Sequence, residues 1–356
     1  MPPTPPPTEI ASALGARVLG QDEAVREMAV ALAKKVAGLR VGHILMIGSS
    51  GTGKTTLMRA VEEYLAATPS LAGRSAVVRL HANVLGEEAE AGRPGAAVFR
   101  RLLERAREQL GAGAEREQLL ARAGGGLVFV DEVDKIRSHV GGSPNVRGIR
   151  AQEALLTLME NEVVPVDLPA WLGGGTAAID ASGLLFVCGG AFEGLYDAVF
   201  DRVTIGEDKG ALQPVTVVED GKVAERLIFH LADWLRNDDL FEYGMTPQFL
   251  ARFDAVVLLA DLDVDILSRI FLEIPDSGFQ QSRAYFESRG VKLAISPNAV
   301  REIARAAARQ PRLGARALKE VFRRVVREIE FEPEKHAAQG VFLLDLPHVA
   351  RALKHE

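Results

Sequence analysis

The run HILMIGSSGTGKT, residues 43–55, decides how the rest of the chain is read. Its apolar opening, HILMIG (43–48), predicts a strand, and a helix is predicted from Lys54 to about Ala66. Between them stands a complete G-x-x-x-x-G-K-[ST], the pattern of a phosphate-binding loop in the strand–loop–helix setting that such a loop requires. Glycines let successive backbone N–H groups converge on phosphate oxygens, and the helix N-terminus adds a favourable dipole. Gly48, Ser49, Ser50, Gly51, Thr52 and Gly53 would wrap a polyphosphate. Lys54 would reach the β- and γ-phosphates and Thr55 would ligate Mg²⁺, with Thr56 beside them.

Outward from this stretch the same alternation repeats. Upstream, Val25, Met28, Ala29, Leu32, Ala33 and Val36 fall on one helical face closed by Gly38. Downstream come strand AVVRL (76–80), a helix around FRRLLERAREQL, strand GLVFV (126–130), a helix around IRAQEALLTLME and strand GLLFVC (183–188). Unbroken apolar strands alternating with helices predict a parallel sheet covered on both faces, so the fold class is α/β. Residues 162–182 and 203–221, rich in Gly, Pro and Thr, read as inserted loops or hairpins. The stretch 81–97, HANVLGEEAEAGRPGAA, reads as a loop between the second strand and the next helix. After a last short strand, AVVLLA (255–260), the chain turns mostly helical, with one strand VKLAI (291–295) and Ser296–Pro297 as N-cap and first helical residue. Ala315, Leu318, Phe322, Val325 and Ile329 mark a further amphipathic helix. The expected domains are a disordered Pro-rich tail (1–8), a large α/β domain (9–262) and a small helical domain (263–356).

A second chemical element is LVFVDE, residues 127–132. Four apolar residues carry Asp131 and Glu132 to the carboxyl end of a central strand, where open α/β sheets bind their ligands. Asp131 would hold Mg²⁺ and Glu132 would act as general base on the attacking water.

Composition narrows the class. The 356 residues are 47% hydrophobic and 25% charged, ordinary for a globular protein, with net charge −6. That acidic balance argues against a nucleic-acid-binding surface. A single cysteine, Cys188, excludes an intramolecular disulfide and reads as a small buried apolar residue in a reducing, cytoplasmic setting. No stretch is long and apolar enough to span a bilayer, so no membrane role is expected.

Six segments carry a family resemblance: VLGQDEAV (18–25), the phosphate loop, VDEVDKI (130–136), LLFVCGGAFEGL (184–195), YGMTPQFLARFD (243–254) and RLGARALKEV (312–321). In this order they resemble the ATPase region of ClpX and its relative HslU, which are AAA+ unfoldases, over about residues 17 to 330. The phosphate loop and the acidic strand end occur in many ATPases; the run CGGAF and its spacing to GAR are more specific. The resemblance implies ATP and Mg²⁺ as cofactors, a homo-oligomeric ring (a hexamer) and a protein client. It also implies that Val18 and Leu19 flank the adenine. Arg252, after a short helix with Thr246 as N-cap and Pro247 at its first position, would reach the ATP of a neighbouring subunit. Arg316 would contact the γ-phosphate in its own chain.

Departures from the family bear on the task. A proline tail stands in place of a four-cysteine zinc domain. The segment TIGEDKG (204–210) has Glu207 where ClpX docks its ClpP peptidase with an aromatic, which argues against ClpP as a partner because burying a charge costs several kcal/mol. PAWLGGGTAAIDAS (169–182) lacks the basic residues of the ClpX pore entrance. The pore-loop position falls on Glu90, Ala91 and Gly92, with Glu90 in place of tyrosine. Three readings follow: a remodeller of a dedicated protein partner working without ClpP; a threading unfoldase with a non-aromatic pore loop that grips through Trp171 and Leu172; or a nucleotide-controlled assembly switch or scaffold.

Overall fold

A computed structural model describes residues 4–68, 71, 75–93, 95–160, 163–206, 208, 212, 214–219, 222–226 and 229–354. Two compact units emerge, one built from Val30–Ile47 and Glu62–Leu258, the other from Pro6–Ala29, Gly48–Val61 and Leu259–Glu356.

The first unit holds a five-stranded sheet: β1 (His43–Ile47), β2 (Val77–His81), β3 (Leu127–Asp131), β4 (Leu185–Gly190) and β5 (Phe253–Leu258). The strand order is β5-β1-β4-β3-β2 and every pairing is parallel. Leu45, Ile47, Val78, Leu80, Val128, Val130, Phe186 and Cys188 join one continuous core. The alternate residues Ile44, Met46, Leu127, Phe129, Leu185 and Val187 are buried as well. Burial on both faces is why these strands read as unbroken apolar runs rather than alternating ones. Helices Ala96–Leu110 and Val146–Glu160 contribute Val98, Phe99, Leu102, Leu103, Leu155 and Leu158 to the same core.

Residues 163–180 form the expected insertion, an antiparallel hairpin of Val163–Asp167 with Thr176–Asp180. A second hairpin pairs Val215–Glu219 with Lys222–Arg226.

The second unit packs helices Val264–Glu273, Gly278–Ser288, Pro297–Ala308, Ala315–Phe331 and Leu346–Leu353 around Phe271, Phe279, Phe286, Ile303, Phe322 and Val325. Asp263, Ser277 and Ser296 each accept a backbone N–H as N-caps, contributions of about 1 kcal/mol apiece. The expected strand here, Lys292–Ile295, pairs in parallel with Val341–Leu344, a second strand that the sequence did not announce. A helix over Pro7–Gly15 begins inside the stretch expected to be a tail, with Ile10 and Leu14 fully buried.

One expectation is corrected. The stretch 81–97, read as a loop, is helical over Ala82–Glu90. Ala82, Leu85 and Gly86 are its buried face, and it packs closely on Val146–Glu160. Gly86 permits the approach: a β-carbon there would lie 3.0 Å from Arg147 Cγ and 3.3 Å from the Arg147 carbonyl. With only two large apolar residues and a central glycine, the helix has almost no periodic signature in sequence.

Candidate nucleotide site and the family of the chain

In the first unit, β3 delivers Asp131 and Glu132 to its carboxyl end. Asp131 is half-buried and accepts the Glu132 backbone N–H at 2.9 Å. Glu132 is exposed and takes left-handed backbone angles (φ 60°, ψ 36°), a region that non-glycine residues seldom enter. A single 3-10 turn, Val133–Ile136, follows it. His81, aligned with Asp131 in the β2–β3 register, places Nδ1 3.6 Å from Glu132 Oε2. Sequence reading passed over His81 because a lone histidine at a strand end carries no motif.

The run CGGAF acquires a physical meaning at the end of β4. Asp134, in the 3-10 turn, is 1% exposed, and its Oδ1 accepts the Ala191 N–H at 3.2 Å. A β-carbon on Gly190 would lie 2.7 Å from that oxygen and 2.7 Å from Phe192 Cε2. Phe192 is itself buried at φ 51°, unusual for an aromatic residue, and its ring meets that of Tyr243 at 5.3 Å. Burial raises the Tyr243 phenol to about 12, with the Asp134 charge adding to the effect. Cys188 is fully buried, as its reading as an apolar residue requires, and burial drives its thiol far up.

Thr246 occupies the N-cap position of Pro247–Leu250, with Pro247 first in the helix, as the sequence indicated. Its side chain does not cap, however: the hydroxyl donates to Gln152 Oε1 at 3.0 Å. Arg252, which follows, is partly exposed and forms an ion pair with Glu160.

In the second unit, the loop Gly48–Gly53 has its own glycine requirements. Gly51 (φ 75°) and Gly53 (φ 115°) are left-handed, and a β-carbon on Gly51 would lie 2.2 Å from the Leu313 carbonyl oxygen. The Lys54 ammonium donates to the Gly48 carbonyl and, at 2.9 Å, to that of Ser49. Thr52 is buried and its hydroxyl donates to the Ser49 carbonyl at 2.9 Å. Thr55 is half-buried and Thr56 exposed. Gln21, 3% exposed, braces the loop by donating to the Thr52 and Ala260 carbonyls, both at 2.9 Å.

This unit brings Arg316 to the loop: its guanidinium donates to Ser50 Oγ at 2.6 Å and the Ala315 N–H donates to the Gly51 carbonyl at 3.1 Å. Val18 is buried, its Cγ1 3.5 Å from a β-carbon built on Gly53; Leu19 is half-buried.

The region aligned with a pore loop divides its charges. Glu87 bonds Arg147 at 2.5 Å. Glu88 is half-buried, and burial raises its carboxyl pKa despite a hydrogen bond from the Ala97 N–H. Glu90 ends the helix exposed; Ala91 is its C-cap and Gly92 follows at φ 71°, both exposed. Trp171, one of the two residues through which a threading unfoldase would grip, sits in a 3-10 turn with the Arg107 guanidinium 4.5 Å above its ring, and Leu172 packs on the core. Glu207, the residue in place of the peptidase-docking aromatic, lies outside the described residues. Its neighbour Asp208 is held by Arg202 and, at 3.0 Å, by Arg236.

Residues 44–188 match the ATPase family associated with various cellular activities (AAA). The chain is 29% identical over 351 residues to the ATP-dependent Clp protease ATP-binding subunit ClpX of Bacteroides fragilis, covering 92% of this chain and 77% of that protein. It is 30% identical over 355 residues to the subunit ClpX 3 of Methylococcus capsulatus, covering 92% and 76%. Among the described residues no helix is long and apolar enough to cross a membrane. A parallel sheet in the order β5-β1-β4-β3-β2, a phosphate loop after β1 and an acidic pair at the carboxyl end of β3 accompany this similarity along the whole ATPase region, and the chain belongs to the ClpX family of AAA ATPases.

Proposed function

We propose that this chain is an ATP-driven remodeller of one dedicated protein partner, assembled as a homo-oligomeric, hexameric ring and working without the ClpP peptidase. The observation that carries the reading is the exposed turn Glu90–Arg93, which offers charge and glycine where a polypeptide-gripping loop needs an aromatic. A buried aromatic contact is worth about 1.5–3 kcal/mol and works on any sequence, whereas a carboxylate selects a basic or polar counterpart. Because Glu87 and Glu88 are engaged within the chain, Glu90 is the glutamate that meets the partner.

The engine residues take these roles. Gly48–Gly53 present backbone N–H groups to the phosphates, and Lys54 leaves the Gly48 and Ser49 carbonyls for the β- and γ-phosphate oxygens. Thr55 and Asp131 would hold the Mg²⁺ that arrives with ATP, a cation that takes one or two protein ligands and would neutralise charge on the phosphates. Glu132 takes the proton of the attacking water. Arg316 contacts the γ-phosphate in its own chain, and Val18 and Leu19 flank the adenine. Arg252 reaches the nucleotide of a neighbouring copy. It must first release Glu160, which is inexpensive, since partly exposed ion pairs contribute about 0–1 kcal/mol.

The absence of ClpP from this reading rests on Glu207 in the 204–210 segment and on the anchoring of Asp208. The Arg107–Trp171 stack favours the remodeller over a threading motor that grips with Trp171. The test is capture with a Glu132→Gln chain held in ATP, followed by turnover of the wild type with the captured protein. One recurrent partner that stimulates turnover, with no degradation when ClpP is added, is the expected result. Indiscriminate capture of unfolded chains, or ClpP-dependent degradation, would contradict it.

A further inference from the structure

Gln152 lies in the helix Val146–Glu160 and is 1% exposed. Its amide uses its full hydrogen-bonding capacity, two donors and two lone pairs. Nε2 donates to the Ile136 carbonyl at 2.8 Å and to the Gly244 carbonyl at 3.0 Å. Oε1 accepts the Thr246 N–H at 2.8 Å and the Thr246 hydroxyl at 3.0 Å.

These partners belong to two segments with different tasks. Ile136 closes the 3-10 turn that begins directly after Glu132. Gly244 and Thr246 lead into Pro247–Leu250, the short helix before Arg252. The same two segments meet again where the Ser138 N–H donates to the Gly244 carbonyl at 2.8 Å, and where His139 Nε2 lies 2.9 Å from the Glu242 carbonyl oxygen. The helix bearing Gln152 also ends at Glu160, the ion-pair partner of Arg252. A side-chain amide with all four positions filled has one orientation and cannot follow one segment without dragging the other.

We propose that Gln152 is a positioning residue that ties the placement of Arg252 to that of Glu132. This rests on the reading above, in which Glu132 serves the chain's own ATP and Arg252 serves a neighbour's. Gln152 then links two successive nucleotide sites of the ring: a displacement of the acid-bearing turn shifts the arginine offered next door.

The test is trans-complementation with full-length chains. Glu132→Gln subunits keep the arginine but lack the base, and Arg252→Ala subunits keep the base but lack the arginine. Each alone is slow, and mixed rings regain turnover at sites where one supplies the other. Gln152→Glu, which keeps the acceptors for Thr246 and loses both amide donors, is then added to either parent. A misplacement near 1 Å costs on the order of 10²-fold, so turnover of the mixed rings should fall roughly 10- to 100-fold from either side, with KM for ATP unchanged.

Thr246→Val, which removes one hydroxyl hydrogen bond, carries the same comparison with a smaller fall should Gln152→Glu lower the unfolding temperature. Complementation indifferent to both changes overturns the role of Gln152 alone. Failure of the two parents to complement at all overturns the assignment of Glu132 and Arg252, and this proposal with it.

Discussion

Replacing Gly190 by alanine tests the physical meaning of the CGGAF run. The added carbon would stand 2.7 Å from Asp134 Oδ1, 2.7 Å from Phe192 Cε2 and 3.0 Å from Asp134 Cβ. Neither neighbour can retreat easily: Asp134 is 1% exposed and bound to the Ala191 N–H, and Phe192 is 2% exposed in a left-handed backbone. Overpacking of this kind costs about 1–3 kcal/mol. In a unit of this size each kcal/mol lowers Tm by roughly 2–4 °C, so a fall of about 2–12 °C is expected by scanning calorimetry. Turnover should fall at least about tenfold, because Asp134 lies two residues after Glu132 and a shift near 1 Å is costly to chemistry. In an Asp134→Ala background the penalty should shrink but not vanish, since Phe192 remains, giving a coupling of roughly 0.5–3 kcal/mol. Unchanged Tm and turnover, or a penalty identical in both backgrounds, would refute the steric argument.

Further outcomes are expected elsewhere. Phe322→Ala removes a ring that meets Phe271 at 4.9 Å and Phe279 at 6.2 Å, and should destabilise the second unit by about 3–5 kcal/mol in chemical denaturation. Burial lowers the Lys35 pKa from 10.5 to about 8 while its ammonium donates to the Gly183 carbonyl. Between those values the unfolded chain binds more protons than the folded one, so stability should rise with pH from about 8 to 10.5, and Lys35→Met should abolish that rise in urea titrations. Glu90→Lys, at an exposed helix end, should leave unfolding within about 0.5 kcal/mol of wild type and weaken stimulation by the captured partner. Stimulation at full strength would remove Glu90 from the partner contact.

The sequence announced the sheet because its inner strands β1, β3 and β4 are buried on both faces, whereas the edge strand β5 leaves Asp254 and Val256 exposed; a five-residue apolar run between breakers admits few other readings. It announced the phosphate loop and the acidic pair because their chemistry fixes residue types at fixed spacing. The helix Ala82–Glu90 was hidden because its burial depends on Gly86 meeting Arg147, a contact 61 residues away in the chain that no local pattern encodes. Val341–Leu344 was hidden for a related reason, since a short strand that completes a two-stranded sheet is defined by its partner Lys292–Ile295. Thr246 shows the limit of local capping rules: the position was right, but a buried amide on another helix takes the hydroxyl. Gln152 and His81 carry no motif, and what each faces, two backbone segments for Gln152 and the Glu132 carboxylate for His81, is visible only in three dimensions.

The most direct measurement is ATP binding and ATP turnover taken side by side on the wild-type and Glu132→Gln chains. Glu132 is exposed at the end of β3, so the isosteric change should leave the fold and the nucleotide affinity within about twofold. Loss of the base should reduce turnover by roughly 10²–10⁴-fold. A Glu132→Gln chain that hydrolyses ATP at the wild-type rate, or that no longer binds it, would contradict the assignment on which the motor rests.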